Sequence, residues 1–265
     1  MSIDRHAGNP FGARVVNAEA MLRAIREAGI IPFFENPIRG WSIEELTPPE
    51  FWFDGDSDTL GPWDWKVDCV QSGDIAYGKF LWNGKAAFAT TQWYRELMNY
   101  RRSLPKYRPD ASGLAILDFL AQNGSIASKD IRRLLGLKKS GADAASTRLQ
   151  MQCRLLIGDI ARVYRGPDLH YVGWQLASFC APEAIVGAMP SVALPSGVIL
   201  NEGAAVAEES APAPPRRLGP GGFPFADDDA PAVLHTPSES YRLLADRIRT
   251  IAPCATDAQI AKALG

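Results

Sequence analysis

The sequence predicts an α+β protein in which a winged-helix (helix-turn-helix) domain follows a small, aromatic-rich α+β unit. Three observations support this prediction: a hairpin signal at Asn83-Gly84, three successive helical patterns after Gly113, and two strand-like runs behind the third helix that end near Ala177. Three helices followed by a hairpin is the winged-helix order, in which the third helix normally enters the major groove of DNA.

The N-terminal unit is predicted to begin with a helix over residues 17–28. Apolar residues recur there at helical spacing, Asn17 is a suitable N-cap, and Gly29 stands where a C′ glycine belongs. After a loop-rich stretch, Ser42 and Glu45 form the capping-box pattern of one short helical turn. The acidic run over residues 54–62 lacks the glycine and the closing glutamate of a calcium loop, so we interpret it as a polar turn.

The remainder of this unit is predicted to be strands and one closing helix. Alternation in PWDWKVDCV indicates a strand over residues 65–70. DIAYGKFLW and KAAFAT flank Asn83-Gly84, which is a strong hairpin signal because both central residues of a type I′ turn need positive φ. A helix over residues 93–100 completes the unit.

The three helices of the winged-helix domain follow a basic, proline-broken connection after residue 101. The first ends at Asn123-Gly124, and Ser128 caps the second, KDIRRLLG. LKKSGAD is predicted to be a basic loop, and ASTRLQMQCRLLIGDI to be the third helix. The inward stripe of this third helix is Leu149, Cys153, Leu156 and Ile160. ARVYRG and HYVGWQLA then form a hairpin around Pro167-Asp168.

Composition divides the chain into four parts. Pro, Ala, Gly and Ser dominate from residue 189 to residue 237, so no core can form there and we predict a flexible linker. Two short helical patterns follow, capped by Ser238 and Thr256, and we expect them to form a hairpin that packs on the main body. The predicted domains are the α+β unit at 1–108, the winged helix at 109–188, the linker at 189–237 and the helical hairpin at 238–265.

Charge is distributed unevenly along a chain whose formal net charge is −2. Residues 95–165 carry fourteen Lys or Arg against six Asp or Glu, whereas residues 1–94 carry eight against thirteen and residues 166–265 carry six against eleven. A basic middle between acidic flanks is typical of a segment that meets phosphates, although basic helical faces are often merely solvated.

Several classes of function have no support in the sequence. The four cysteines and three histidines are scattered without metal-ligand spacing, so we expect free thiols, no metal and no cofactor. No Walker A, GxSxG or HExxH pattern occurs, which leaves nucleotide-driven chemistry, serine hydrolysis and zinc proteolysis unsupported. No apolar run approaches the ~20 residues of a membrane span and the N-terminus lacks a signal-peptide pattern, so we expect a cytoplasmic protein without membrane contact.

The second and third predicted helices and the loop between them concentrate cationic side chains. Such a surface could follow the phosphate backbone of double-stranded DNA, and glutamine could read an adenine edge. A solvated helix face is the alternative. The candidate nucleic-acid-binding residues are Arg132, Arg133, Lys138, Lys139, Arg148 and Arg154.

One segment of the third predicted helix resembles a known motif. Residues 147–152, TRLQMQ, are similar to the Gln-apolar-Gln motif of AlkZ-type winged-helix DNA glycosylases. FFENPIRGWSIEEL, the GDIAYGKF hairpin and TRLQMQ together resemble bacterial AlkZ-related proteins. The resemblance implies that Gln150 and Gln152 are catalytic, since the glutamines of the glycosylases position the water that attacks the anomeric carbon. On a regular helix these two side chains point about 200° apart and cannot share one water, whereas a distorted backbone would bring them together.

Three functions remain open from the sequence. The first is an AlkZ-related DNA-binding protein that recognises damaged DNA. The second is an active monofunctional alkyl-base DNA glycosylase, in which neutral amides orient a water by hydrogen bonds while an electron-poor base departs. The third is a winged helix that binds a protein partner through Arg and Trp anchors, without nucleic acid.

Overall fold

The computed structural model describes residues 14–53, 60–165, 170–187 and 235–265. Within these ranges the chain forms helices and one antiparallel sheet, which confirms the predicted α+β class. The helices are α1 (Ala18–Ala28), α2 (Ile43–Leu46), α3 (Glu50–Phe53), α4 (Pro62–Gln71), α5 (Thr91–Arg102), α6 (Ala111–Asn123), α7 (Ser128–Leu135), α8 (Lys139–Met151), α9 (Glu183–Val186), α10 (Pro237–Ile251) and α11 (Asp257–Leu264). The strands are β1 (Ile30–Pro32), β2 (Ile75–Leu81), β3 (Lys85–Thr90), β4 (Ser125–Ala127), β5 (Leu156–Arg165) and β6 (His170–Cys180).

The six strands form one sheet in the order β1-β3-β2-β5-β6-β4. Tyr77 of β2 pairs with Ile157 of β5, and this pairing joins the N-terminal hairpin to the hairpin behind α8. The two units predicted from the sequence therefore share a continuous sheet.

Both predicted hairpins are present. Trp82 and Asn83 have φ of 47° and 56°, and Gly84 has φ of 97°, so the turn between β2 and β3 uses the left-handed backbone that Asn-Gly favours. β5 and β6 pair along most of their length. The Pro167-Asp168 turn predicted between them lies outside the described residues.

The local signals at α1 and α2 are confirmed. The Asn17 side chain accepts a hydrogen bond from the Ala20 N–H at 2.8 Å, and Gly29 ends α1 with φ of 75°. The Ser42 hydroxyl accepts from the Glu45 N–H at 3.2 Å, as the capping-box pattern predicts. The helix predicted over residues 93–100 is α5, which is longer by two residues at each end.

The strand predicted over residues 65–70 is wrong, because these residues lie in helix α4. Gly61 precedes the helix and Pro62 occupies its first turn, where proline's fixed φ and missing N–H suit a helix start. α4 packs between α1 and β5 and buries residues on several sides, including Trp65, Val67 and Cys69. Burial on several sides explains why the apolar pattern resembled the alternation of a strand.

The third helix is displaced relative to the prediction. α8 starts at Lys139, inside the predicted basic loop, and ends at Met151. Residues from Leu156 onward belong to β5, since they pair with β2 and β6 instead of continuing the helix. The predicted inward stripe is therefore divided: Leu149 packs in a small core beneath α6, α7 and α8, whereas Cys153, Leu156 and Ile160 belong to the large core.

The C-terminal helices pack on the large core, where Leu244, Ile248 and Leu264 are fully buried. Thr236 caps α10, two residues before the predicted Ser238 cap, because Thr236 and Glu239 exchange hydrogen bonds in a capping box. Thr256 caps α11 as predicted. The predicted linker falls outside the described residues apart from residues 235–237. None of the helices in the described part of the chain has the length and apolarity needed to cross a bilayer.

Candidate nucleic-acid interface

The segment from α6 to β6 has its own small core. α6, β4, α7, α8, β5 and β6 follow one another, and β4 pairs antiparallel with β6. Gly136 ends α7 with φ of 62°, a left-handed conformation that suits glycine, and so allows the chain to turn sharply into α8. The side chains buried in this small core include Ile116, Leu120, Ile126, Ile131, Leu149, Leu155 and Phe179.

Five of the six cations predicted to bind nucleic acid are exposed on α7, α8 and the turn between them: Arg132, Arg133, Lys138, Lys139 and Arg148. Arg133 pairs with Asp130 at 2.9 Å while its side chain stays 80% exposed, and Arg148 pairs with Asp110 at 3.1 Å with both side chains 55% exposed. The remaining three form no ion pair within the described residues. Exposed ion pairs contribute only about 0–1 kcal/mol, so these arginines can exchange a carboxylate for another anion at small cost.

The sixth predicted cation, Arg154, has a different setting. It follows the end of α8, about 18 Å along the helix from Lys139 at 1.5 Å per residue. Arg154 is partly buried, and this burial lowers the pKa of its guanidinium, with the charge of Arg102 acting in the same direction. Its Nε is buried and has no hydrogen-bond partner among the described residues. Arg154 therefore lies apart from the exposed cations at the start of α8.

Gln150 is 2% exposed and both ends of its amide contact backbone groups. Oε1 accepts a hydrogen bond from the Lys79 N–H at 2.8 Å, and Nε2 donates to the Ser146 carbonyl at 3.3 Å. A Cβ at Gly78 would stand 2.8 Å from Oε1, so the absence of a side chain there makes room for the amide. These contacts tie the last turn of α8 to strand β2.

Gln152 is the C-cap residue of α8 and is 8% exposed. Its Nε2 donates to the Arg108 carbonyl at 3.1 Å, in the connection between α5 and α6. Its Oε1 is buried and accepts no hydrogen bond from the described residues. A buried amide oxygen without a donor is costly, by about 1–3 kcal/mol, and such atoms are rare in folded proteins. The structure therefore directs Gln150 toward β2 and Gln152 toward Arg108, and the two amides share no partner within the described part of the chain.

The backbone between these glutamines and β5 forms a Schellman turn. The Arg154 N–H donates to the Leu149 carbonyl at 2.9 Å, and the Cys153 N–H donates to the Gln150 carbonyl at 3.0 Å. Cys153 occupies the C′ position with φ of 52°, where glycine is usual. A left-handed residue with a side chain costs about 1–2 kcal/mol, so surrounding contacts must hold the turn.

Two consecutive arginines of α5 supply such contacts. Arg101 donates to the Met151 carbonyl at 3.0 Å, and Arg102 donates twice to the Cys153 carbonyl, at 3.0 and 2.6 Å. The sequence prediction missed both residues, because the run that contains them was interpreted only as a basic connection.

The described part of the chain contains no group of three or more His, Cys, Asp or Glu side chains that could hold a metal ion.

Comparison with known families agrees with the TRLQMQ resemblance. A family model described as AlkZ related matches residues 15–193. The chain belongs to the AlkZ-related family. The match spans α1 to β6 and α9, and the helices α10 and α11 lie beyond it. No curated protein and no solved structure matched this AlkZ-related chain. Family membership relates the chain to DNA repair glycosylases of the AlkZ type.

Proposed function

We propose that this AlkZ-related protein binds double-stranded DNA through a winged helix formed by residues 111–180 and recognises damaged DNA. The observation that carries the proposal is the group of five exposed cations at α7, the α7–α8 turn and α8. The order of elements supports it, because three helices, a short strand between the first two, and a closing hairpin match the winged-helix plan. In this arrangement α8 is the recognition helix.

The exposed side of α8 suits contact with a phosphate backbone. Lys138 and Lys139 stand at its start, and Ser140, Asp143 and Ala144 are also exposed in its first half. The positive end of the helix dipole lies at the same place and favours anions. Each phosphate that a lysine or arginine neutralises releases condensed counterions, so binding would weaken steeply as salt is raised.

A second candidate function is alkyl-base excision, and Gln152 favours it. The resemblance implies that Gln150 and Gln152 are both catalytic, but their different hydrogen bonds indicate that the two side chains have different roles. Gln152 Oε1 is buried and accepts no hydrogen bond from the described residues, so its acceptor capacity is unused. It would accept a hydrogen bond from the water that attacks the anomeric carbon once the end of α8 opens to admit that water. Gln150 has both amide atoms hydrogen-bonded to the backbone, so it would support the turn that presents Gln152.

The first experiment measures the salt dependence of binding to a short duplex by fluorescence anisotropy. We expect the double variant Lys138→Gln, Lys139→Gln to flatten the slope of log K against log salt by about 2, since each phosphate contact contributes about 0.9. The matched control, Arg242→Gln with Lys262→Gln, removes two exposed positive charges from the C-terminal helices. An equal change in both double variants would argue against the proposed surface. Absence of binding even at low salt would favour a protein partner.

The second experiment tests excision with the same duplex carrying N7-methylguanine, followed by heating in alkali to cut abasic sites. We expect strand breaks only on the methylated duplex, their loss in Gln152→Ala, and unchanged duplex affinity in that variant. Gln122→Ala, an exposed glutamine of α6, is the matched control. Salt-sensitive binding without breaks would leave a DNA-binding protein that does not excise bases.

A further inference from the structure

Arg101 is a fully buried arginine that joins two distant parts of the chain. Its Nε and Nη2 donate to the Leu264 carbonyl at 2.8 and 2.6 Å, and its Nη1 donates to the Met151 carbonyl at 3.0 Å. Leu264 is the last residue of α11 and Met151 is the last residue of α8. One guanidinium therefore holds the C-terminal ends of both helices, where carbonyl groups lack partners within the helix.

The position of Met151 makes this contact relevant to Gln152. The Met151 carbonyl belongs to the peptide bond directly before Gln152, and the carbonyl that Arg102 holds belongs to Cys153, the residue after Gln152. Arg102 is itself fixed by an ion pair with Glu183 at 2.5 Å. Consecutive residues of α5 therefore hold the backbone on both sides of the amide that carries the unpartnered oxygen.

We infer that Arg101 is a positioning residue through which the seating of α11 sets the orientation of Gln152. The donors that hold Leu264 and Met151 belong to one rigid, planar guanidinium, so a displacement at one carbonyl tilts the donors at the other. If α11 moved away, two buried donors would lose their acceptor, and the guanidinium would turn toward new partners. The Met151 carbonyl, and Gln152 after it, would then shift. This inference rests on the proposed role of Gln152.

Through this coupling the C-terminal helices would influence the orientation of Gln152, in addition to stabilising the fold. They lie outside the residues that match the family, yet α11 supplies the acceptor that orients Arg101. Tyr107 supports the arrangement, since its ring centre lies 5.3 Å from the Arg101 guanidinium carbon. The backbone N–H of Trp82 also donates to the Ala263 carbonyl at 3.2 Å, which fixes the end of α11 to the β2–β3 turn.

The test measures the side-chain amide of Gln152 by NMR in the full-length, ¹⁵N-glutamine-labelled protein, with the resonance assigned from Gln152→Glu. We expect Arg101→Lys to shift this resonance and to speed its hydrogen exchange about tenfold through easier local opening. Arg247→Lys is the matched control, because Arg247 of α10 also donates to a carbonyl of another element, Ala28, at 3.0 Å. Its loss weakens the packing of α10 at the end of α1, without removing a contact to the end of α8.

A second pair of variants keeps Arg101 in place. Leu264→Ala and Leu244→Ala each remove a fully buried leucine of the C-terminal helices, but only Leu264 is the residue that Arg101 holds. We expect Leu264→Ala to move the Gln152 resonance and Leu244→Ala to leave it in place. If Arg101→Lys does not fold, the leucine pair alone decides the question.

The outcomes separate this inference from the proposed chemistry. An unmoved Gln152 resonance in folded Arg101→Lys or Leu264→Ala overturns the coupling, and so does an equal response in the two control variants. If the wild type releases no base but the Gln152 resonance changes as expected, the excision chemistry is contradicted and the coupling between α11 and Gln152 is supported. Base release that persists undiminished in Arg101→Lys, with a displaced Gln152 amide, would show that the orientation of Gln152 is not what the reaction needs.

Discussion

The Gln150 amide oxygen accepts a hydrogen bond from the backbone N–H of Lys79 at 2.8 Å, which fastens the last turn of α8 to strand β2. We expect Gln150→Ala to lower the free energy of unfolding by about 1–3 kcal/mol, because the Lys79 N–H loses its acceptor in a partly buried place. Gln152→Ala should cost less than about 1 kcal/mol, since water can reach the carbonyl of exposed Arg108 and a buried unpartnered oxygen is removed. Urea unfolding followed by tryptophan fluorescence measures both, with Gln122→Ala as the exposed control. Equal losses for the two buried glutamines would contradict their unequal roles.

Gly78 controls the same hydrogen bond. An alanine Cβ there would stand 2.8 Å from Gln150 Oε1, so we expect Gly78→Ala to displace the amide and destabilise the fold by about 1–3 kcal/mol. A double-mutant cycle with Gln150→Ala isolates the shared contact. The combined loss should be clearly smaller than the sum of the two single losses. Additive losses would mean that the alanine acts elsewhere.

Asp110 restrains Arg148 through their ion pair and also caps α6 by accepting from the Gly113 N–H at 2.8 Å. Asp110→Asn removes the charge and preserves the cap, because asparagine caps helices about as well as aspartate. We expect duplex affinity at low salt to rise about two- to fivefold, since Arg148 is released and a repulsive charge is lost. Asp118→Asn, exposed on the same helix, should raise affinity less. Anisotropy titrations measure both variants, and an equal rise would point to net charge alone.

Lys66 makes stability depend on pH. Burial lowers the pKa of its ammonium from 10.5 to about 8, and the Nζ donates to the backbone carbonyl of Trp63 at 2.7 Å and to the side-chain Oε1 of Gln175 at 2.5 Å. Between about pH 8 and 10.5 the unfolded chain binds more protons at this lysine than the folded chain, so the free energy of unfolding rises with pH in that window and is level below it.

The size of this rise, after allowance for solvent screening, is about 1–2 kcal/mol. We expect Lys66→Met to lack this part of the increase in the free energy of unfolding between pH 7.5 and pH 10, as measured by urea unfolding at both pH values. Lys85→Met, which removes an exposed lysine, should retain it. An identical pH dependence in wild type and Lys66→Met would show that the pKa of this lysine is the same in the folded and the unfolded chain.

The four cysteines should differ sharply in reactivity. Burial raises the pKa of the thiols of Cys69 and Cys180 to about 12 and also raises the pKa of Cys153, whereas Cys254 is exposed. Because the thiolate is the nucleophile, we expect iodoacetamide at pH 8 to modify the exposed Cys254 quickly and the three buried thiols only after denaturation. Peptide mass mapping identifies the site. Cys254→Ser should abolish the fast phase and Cys69→Ser should leave it intact.

Local signals in the sequence predicted several helix ends and turns correctly, but the Ser128 cap predicted for α7 is wrong, because Ala127 is the N-cap residue and no side chain caps the helix there. Asn17 and Gly29 bound α1, and Asn83-Gly84 marks the β2–β3 turn, because capping and positive φ depend on neighbouring residues alone. The same dependence on local signals misplaced the end of α8 in the prediction. Cys153 occupies the left-handed C′ position where glycine would have marked a helix end, so the pattern seemed to continue into β5.

The site depends on contacts that no local pattern specifies. The glutamine pair was found from the TRLQMQ resemblance, but Gln150 meets Lys79 across a separation of 71 residues, and Arg101 meets Leu264 across 163. Such pairings depend on which strands join in the sheet and on where the C-terminal helices pack, and many side chains of suitable type compete for them. Composition, caps and turns therefore determined most elements of this protein, but neither helix α4 nor the bounds of α8. Only the tertiary packing decided which amide has both of its polar atoms hydrogen-bonded to backbone and which keeps an oxygen that accepts no hydrogen bond from the described residues, because burial and hydrogen-bond partners arise when distant segments meet.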